Sequence, residues 1–255
     1  MAPQTFGLAR QAGVSLVELM VAMALGLLIS AAAIALFATS RRTFELQQTG
    51  SRLQQRGQLV MRFITSDVRM AGFAGPESAT PSLPGGGIVT EITDGLPGST
   101  DGGTDNDRIT VTYLASEDCE GHHREQAQGM ARVVNTYWVD QRGYLMCEGN
   151  LARSLTGGVK LLAGVRGFQV LYGVDNDQDG IPFAARYVTA NAIDGRVVLS
   201  VKLSLLLEAE NGALGEAEAS TWYLLDQDVS IAPAKALFHR FTVSVALRNY
   251  SWSRI

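Results

Sequence analysis

Residues 11–38 read QAGVSLVELMVAMALGLLISAAAIALFA, and this stretch decides how the rest of the chain is to be understood. Leu19 to Ala38 is 20 residues without a charge. As a helix rising about 1.5 Å per residue it spans about 30 Å, the hydrocarbon thickness of a bilayer. The run is too long for the apolar region of an ordinary signal peptide, and no A-x-A-like site follows it, so it reads as an anchor. Immediately ahead of it stands a lone carboxylate, Glu18. A charge beside hydrocarbon is costly unless it is partnered or held at the interface. Ser15-x-x-Glu18 has the spacing of a capping box, in which the acid returns a hydrogen bond to the helix N-terminus. The other reading is that Glu18 neutralises a positive group supplied by another chain. At this point both stand.

The register is more specific than either feature alone. A short leader, 1–13, carries Arg10 and no acid and ends in Gly13. Val14 follows, Glu18 is the fifth residue after that glycine, and the apolar run comes next. This arrangement resembles the type III signal of type IV prepilins and pseudopilins. The resemblance implies cleavage by a prepilin peptidase between Gly13 and Val14 and N-methylation of Val14. It also implies pairing of Glu18 with the N-terminal amine of a neighbouring subunit. One signal opposes the topology this implies. Arg41, Arg42, Arg52 and Arg56 follow the run while Arg10 and the α-amine precede it, and the positive-inside rule alone places the C-terminal part in the cytoplasm. Long C-terminal domains translocate largely regardless of charge. The expectation is therefore an inner-membrane anchor with a periplasmic head.

Beyond Ala38 the helical pattern continues. Leu46, Leu53 and Val60 recur every seven residues, joined by Phe63 and Ile64, and no proline occurs between Pro3 and Pro76. Gly50 and Gly57 each weaken the helix by about 1 kcal/mol relative to Ala. Gly72 and Gly75-Pro76 end it. The expectation is one helix over 14–72, about 87 Å long at 1.5 Å per residue, with a transmembrane first half. Two helices hinged near Gly50 are the alternative. Residues 73–107 read as a Gly/Pro/Asp-rich connector whose Gly85-Gly86-Gly87 lacks the ending of a phosphate loop.

Residues 108–255 read as a β-rich head. Candidate strands are 108–114, 132–139, 144–147, 167–174, 197–207, 221–225 and 241–247, with clear alternation in 197–207 and 241–247. Asp140-Gln141-Arg142-Gly143 reads as a hairpin turn. A long helix followed by strands implies an α+β fold with the helix packed on an antiparallel sheet.

The two cysteines, Cys119 and Cys147, read as one disulfide in an exported head. Zinc held by Cys119, His122, His123 and Cys147 is the competing use, with poor ligand spacing. Asp175, Asp177 and Asp179 lie in a D-x-D-x-D-G run that suits calcium, yet Arg186 stands where an EF-hand needs glutamate. An ordinary Asp/Asn/Gly turn is the alternative. No cofactor is required by these readings, and Ca²⁺ is the one candidate.

The net charge of −4 argues against nucleic acid as a partner. Charge is uneven: between Thr39 and Ala71 six Arg face Glu45 and Asp67, whereas from Gly72 onward there are 14 basic and 22 acidic residues. A basic stalk joined to an acidic body suits packing of related chains head against stalk. The three histidines, His122, His123 and His239, belong to no catalytic motif, so the chain does not read as an enzyme.

Within the prepilin class, 168–180 (FQVLYGVDNDQDG), the strand 197–207 and the ending Val245-Ala246-Leu247-Arg248-Asn249 resemble the PilW family of minor pilins. That resemblance implies a subunit of the initiating complex at the pilus tip. Its partners would be other minor pilins, the major pilin and a PilY-type adhesin. The alternatives are a minor pseudopilin of a type II secretion system and, from another class, a signal-anchored periplasmic enzyme or binding module.

Mass analysis of the mature N-terminus is expected to find methylated Val14, and Gly13→Asp is expected to leave the leader attached by placing a charged side chain where the peptidase needs a small residue. An intact leader on the wild-type protein in purified pili overturns the prepilin assignment.

Overall fold

The computed structural model describes residues 13–75, 87–123, 129–152, 157–175, 183–209 and 219–249. The chain divides into two units, 1–47 and 48–255. In the first, the described residues are the start of helix α1 (Leu16–Met70), whose side chains face outward along nearly the whole apolar run. The helix is unbroken by Gly50, so the hinged alternative falls.

The second unit holds the rest of α1 and ten strands. Here α1 buries Leu53, Gly57, Val60, Met61, Ile64, Thr65 and Val68, a stripe recurring every three or four residues as a one-sided helix requires. Ile64 and Val68 are fully buried; burying one such side chain is worth about 1.5–3 kcal/mol. At the end of the helix Gly72 takes φ 82°, the left-handed conformation glycine tolerates, and its N–H donates to Thr112 O at 2.9 Å. Asn249, far along the chain, donates from Nδ2 to the terminal carbonyls of Arg69, Met70 and Ala71 at 3.2–3.3 Å.

The sheet differs from the single one expected. Strands β1 (Ile109–Ala115), β2 (Ala131–Val139), β3 (Leu145–Gly149) and β4 (Val159–Leu162) form one antiparallel sheet in the order β1-β2-β3-β4. Strands β5 (Val165–Val174), β6 (Arg186–Val188), β7 (Val198–Glu208) and β10 (Phe238–Ala246) form a second, in the order β10-β7-β5-β6. Strands β8 (Ser220–Leu224) and β9 (Gln227–Ile231) pair as a hairpin. The expected turn at Asp140 is present: its Oδ1 accepts from the Arg142 and Tyr144 N–H groups, joining β2 to β3. One core draws on α1 and both four-stranded sheets, with Tyr137, Phe168, Tyr172, Leu203 and Leu205 fully buried.

The connector is also more structured than a loop. Over 87–107, Leu96 is fully buried and Ile88 nearly so, and Ile88 bridges to Val111 on β1. Asp107 is inside as well, accepting from the Gly102 and Val170 N–H groups. These residues form part of the same compact unit as the strands and not a spacer between helix and head.

Gly57 has a packing reason absent from its helix propensity. A Cβ there would overlap the Phe241 ring of β10. Gly57→Ala gains about 1 kcal/mol of helix propensity and incurs an overpacking cost of about 1–3 kcal/mol. Denaturant unfolding is expected to show Gly57→Ala costing more in the wild-type background than in Phe241→Leu, where the ring is gone. Equal cost in both backgrounds removes this contact as the reason for the glycine.

Candidate functional site

Two places in the molecule carry functional chemistry, and the first is the head of α1. Ser15 opens the helix: Leu19 N–H donates to Ser15 O at 3.1 Å, and Glu18 N–H donates to Ser15 Oγ at 3.2 Å. That is half of a capping box. The reciprocal bond, from Ser15 N–H to the Glu18 carboxylate, is not formed among the described residues. The cap is thus made by the serine, and the carboxylate is left exposed for another use. Gly13 and Val14 precede the helix in the open, with nothing within 4 Å of where a Gly13 Cβ would stand. Behind Glu18 the helix has a mean hydropathy of 2.5 over its most apolar 18 residues, none of them buried by protein. Leu27 and Leu36 are each 73% exposed, which suits hydrocarbon and not water.

The second is the loop after β1. Cys119 and Cys147 are joined in a disulfide, their Cα atoms 6.3 Å apart, so the loop is stapled to β3. This removes both thiolates from the zinc reading; a bonded sulfur is no longer the anionic ligand zinc requires. Asp118, which sequence reading passed over, organises the loop. Its Oδ1 accepts from the Glu120 and His122 N–H groups at 3.1 and 2.9 Å, and its Oδ2 accepts from Leu151 N–H at 3.0 Å. Glu120 Oε2 accepts from Gly149 N–H at 3.0 Å. Asp118, Glu120 and His122 bring candidate ligand atoms within 4.8 Å of one another, but the Asp118 oxygens are already occupied by backbone donors. The cluster is the frame of a turn. Of the calcium candidates, Asp175 is buried at the end of β5, and Asp177 and Asp179 lie outside the described residues.

The comparisons with known proteins fall on these same regions. The family described as Type IV Pilus-assembly protein W (PilW) matches residues 136–249, running from β2 past the end of β10. The prokaryotic N-terminal methylation motif matches residues 8–34, which include Gly13, Val14 and Glu18. The chain is similar to the PilW family over the 114 residues 136–249, less than half of its 255. Among solved structures, a type IV-like pilin from Thermus thermophilus matches at 15% identity and a TM-score of 0.47, over 78% of this chain and 96% of that one. Curated protein sequences give no match. These matches point to a structural subunit, to membrane anchoring and to association with a pilus.

For a PilW-type head, what matters next is how α1 is fixed to the sheets. Asp67 does this on the buried side of the helix. Its Oδ2 accepts from Asn135 Nδ2 at 2.7 Å and from the Tyr137 hydroxyl, with Tyr113 beside them. Burial pushes the Asp67 carboxyl above its ordinary range while these donors pull it back. Desolvation and the Asp67 charge hold Tyr113 and Tyr137 well above the ordinary phenol value, so both stay protonated as donors. Sequence offered no signal for this seam: Asp67 is one acid among arginines.

Asp107 is another buried carboxylate. Desolvation raises it from 3.8 to about 6 against the pull of the Gly102 and Val170 N–H groups. A carboxyl raised on folding binds its proton more tightly in the native state. Its contribution is fully present below 3.8 and is lost as pH rises through about 6. Relative to Asp107→Asn, the wild-type protein is expected to lose stability across that window, measured as the difference between the two melting curves at each pH. A difference that does not change with pH rules out Asp107 as a titrating group.

Proposed function

We propose that this chain is a minor pilin that is cut between Gly13 and Val14, methylated at Val14, and assembled through Glu18 into the complex that initiates a type IV pilus and remains at its tip. The observation that carries the proposal is the half-made capping box. Ser15 alone satisfies the helix N-terminus, which leaves the Glu18 carboxylate at the head of a 20-residue uncharged run with no intrachain role among the described residues. Cleavage frees an α-amine at Val14 on every subunit, and methylation leaves it charged. A neighbour's amine is then the cation at hand for Glu18. In a filament core of low dielectric that pair fixes axial register as well as affinity.

The family match supports a pilus over a type II secretion pseudopilin, because the matching family is one of pilus assembly. The disulfide supports a head facing an oxidising compartment, hence a periplasmic head before assembly. Prepilin peptidase, other minor pilins, the major pilin and a PilY-type adhesin are the partners this reading assigns. Calcium at Asp175, Asp177 and Asp179 remains a separate proposal, tested by whether millimolar Ca²⁺ raises the melting temperature and a chelator reverses it.

Glu18→Gln separates assembly from capping. Glutamine fits the third helical position as well as glutamate, so cleavage and membrane level are expected to match wild type. Incorporation into sheared pili is expected to fall at least tenfold, with pilus number falling alongside. Wild-type incorporation of Glu18→Gln would leave the carboxylate without a part in assembly.

A further inference from the structure

Two outer strands, β1 and β10, are treated differently by the fold. The outer side of β1 is covered: Gly72 N–H donates to Thr112 O, Leu114 N–H to Phe73 O and Val89 N–H to Thr110 O, at 2.8–3.0 Å. The outer side of β10 is not. Its register with β7 pairs residues whose numbers sum constantly from Phe238↔Glu208 to Ala246↔Ser200. Just past either end, Leu247 N–H donates to Leu199 O and Ala209 N–H donates to Leu237 O. Hydrogen-bonded pairs alternate along an antiparallel ladder. His239, Phe241, Val243 and Val245 therefore bond to β7, while Phe238, Arg240, Thr242, Ser244 and Ala246 turn their N–H and C=O groups away from it. Among the described residues no backbone group pairs with that outer row.

An edge of this length is a template for another strand, and folds usually blunt it with proline, charged side chains or a bulge. The sequence of β10, FHRFTVSVA, has no proline and no bulge, and Arg240 is its one fixed charge. Beside it runs a groove of about 700 Å³ between β10 and α1, lined by Arg62, Thr65, Ser66 and Arg69 of the helix and by Arg240 and Thr242 of the strand. Arg62 and Arg69 are exposed and form no ion pair among the described residues. The Arg240 side chain leaves β10 on the face opposite Phe241 and donates to the Tyr223 carbonyl of β8, so the helix supplies the guanidinium groups of the groove. The groove lining includes no carboxylate.

We infer that the open edge of β10 receives an extended acidic segment of a partner protein, which adds as a strand to the β10-β7-β5-β6 sheet and is held by Arg62 and Arg69. Main-chain hydrogen bonds to the outward row provide affinity, as in other strand additions. The arginines select for acid at alternate positions along the incoming strand, because guanidinium groups pair with carboxylates in fixed geometry. The inference stands on the head alone and does not depend on processing at Gly13 or on the tip assignment.

The test uses the full chain in detergent micelles and a blocked peptide of sequence Thr-Glu-Val-Glu-Val-Glu-Thr. Two controls accompany it: the same peptide with lysine for glutamate, and the acidic peptide with alternate amides N-methylated on its bonding edge. The acidic peptide is expected to slow hydrogen exchange at Arg240, Thr242 and Ser244 and to bind at least tenfold more tightly than either control. Arg62→Glu combined with Arg69→Glu, both surface changes, is expected to weaken binding at least tenfold while the melting temperature stays at the wild-type value. Equal binding of the N-methylated peptide would reduce the site to a charged patch and overturn strand addition. Protection of the same amides without peptide, growing with protein concentration, would make the occupant a second copy of this chain and overturn the acidic partner. Absence of binding at millimolar peptide also overturns it.

Discussion

Backbone N–H and C=O groups inside a bilayer find no water, so a single spanning segment has to satisfy them along its own length. Residues 19–38 therefore have to be helical, and the helix has to begin where its first unsatisfied donors can be capped. Ser15 does that, through its Oγ and its carbonyl. Everything distinctive about the N-terminus follows from the position of that cap. It uses the serine and leaves the glutamate, so an acid persists at the edge of hydrocarbon with no partner among the described residues. An isolated anchor would do better without Glu18. A subunit whose neighbours each present a freed α-amine has a use for it, and residues 8–34 match the prokaryotic N-terminal methylation motif.

Past Gln48 the same helix answers to a different solvent. Its buried stripe packs on protein, and three local devices set its register. Gly57 makes room for Phe241. Asp67 reaches to Asn135 and Tyr137 on β2. Asn249 ties down the last carbonyls. The first is steric and the other two are hydrogen-bonded, so together they resist sliding of the helix more than an apolar stripe alone would. A buried carboxylate such as Asp67 costs stability unless fully bonded. Its bonds run from a helix to a strand 68–70 residues away, which makes them a constraint on register and not a local turn.

The parts of this structure that announce themselves in the sequence are those with a period. The apolar run, the helical stripe through Leu53, Val60 and Ile64, and the alternation in β7 and β10 were all legible, with strand ends displaced by one to three residues. The silent parts lack a period. Strand β4 is four residues, VKLL, two exposed and two half-buried. Strand β6 is three residues and owes its existence to pairing with Tyr172, Gly173 and Val174. Strand β9, QDVSI, is too polar to be read as a strand and is held by β8. Leu96 and the Ile88-Val89 pair sit among glycines, prolines and aspartates, too short for any window to register, yet all three are buried. Of the site, Gly13, Val14 and Glu18 were visible because motif register is a short-range property. The Asp118 turn and the arginine groove were not, because each is assembled from segments that only the fold brings together.

The arginines that follow the anchor acquire a different meaning once the fold is known. Counted along the sequence, Arg41, Arg42, Arg52 and Arg56 argue for a cytoplasmic C-terminal part. Counted in space, Arg52 and Arg56 belong to the compact unit that begins at Gln48, where both line a groove with Leu162 and Glu208. Arg62 and Arg69 line the groove beside β10. Large domains cross largely regardless of charge. Nearest the span, Arg41 lies 3.8 Å from Glu45. On the head, Arg62 and Arg69 form no ion pair among the described residues and stand next to the outer strand β10, so the basic half of the helix gives an otherwise acidic domain one basic groove.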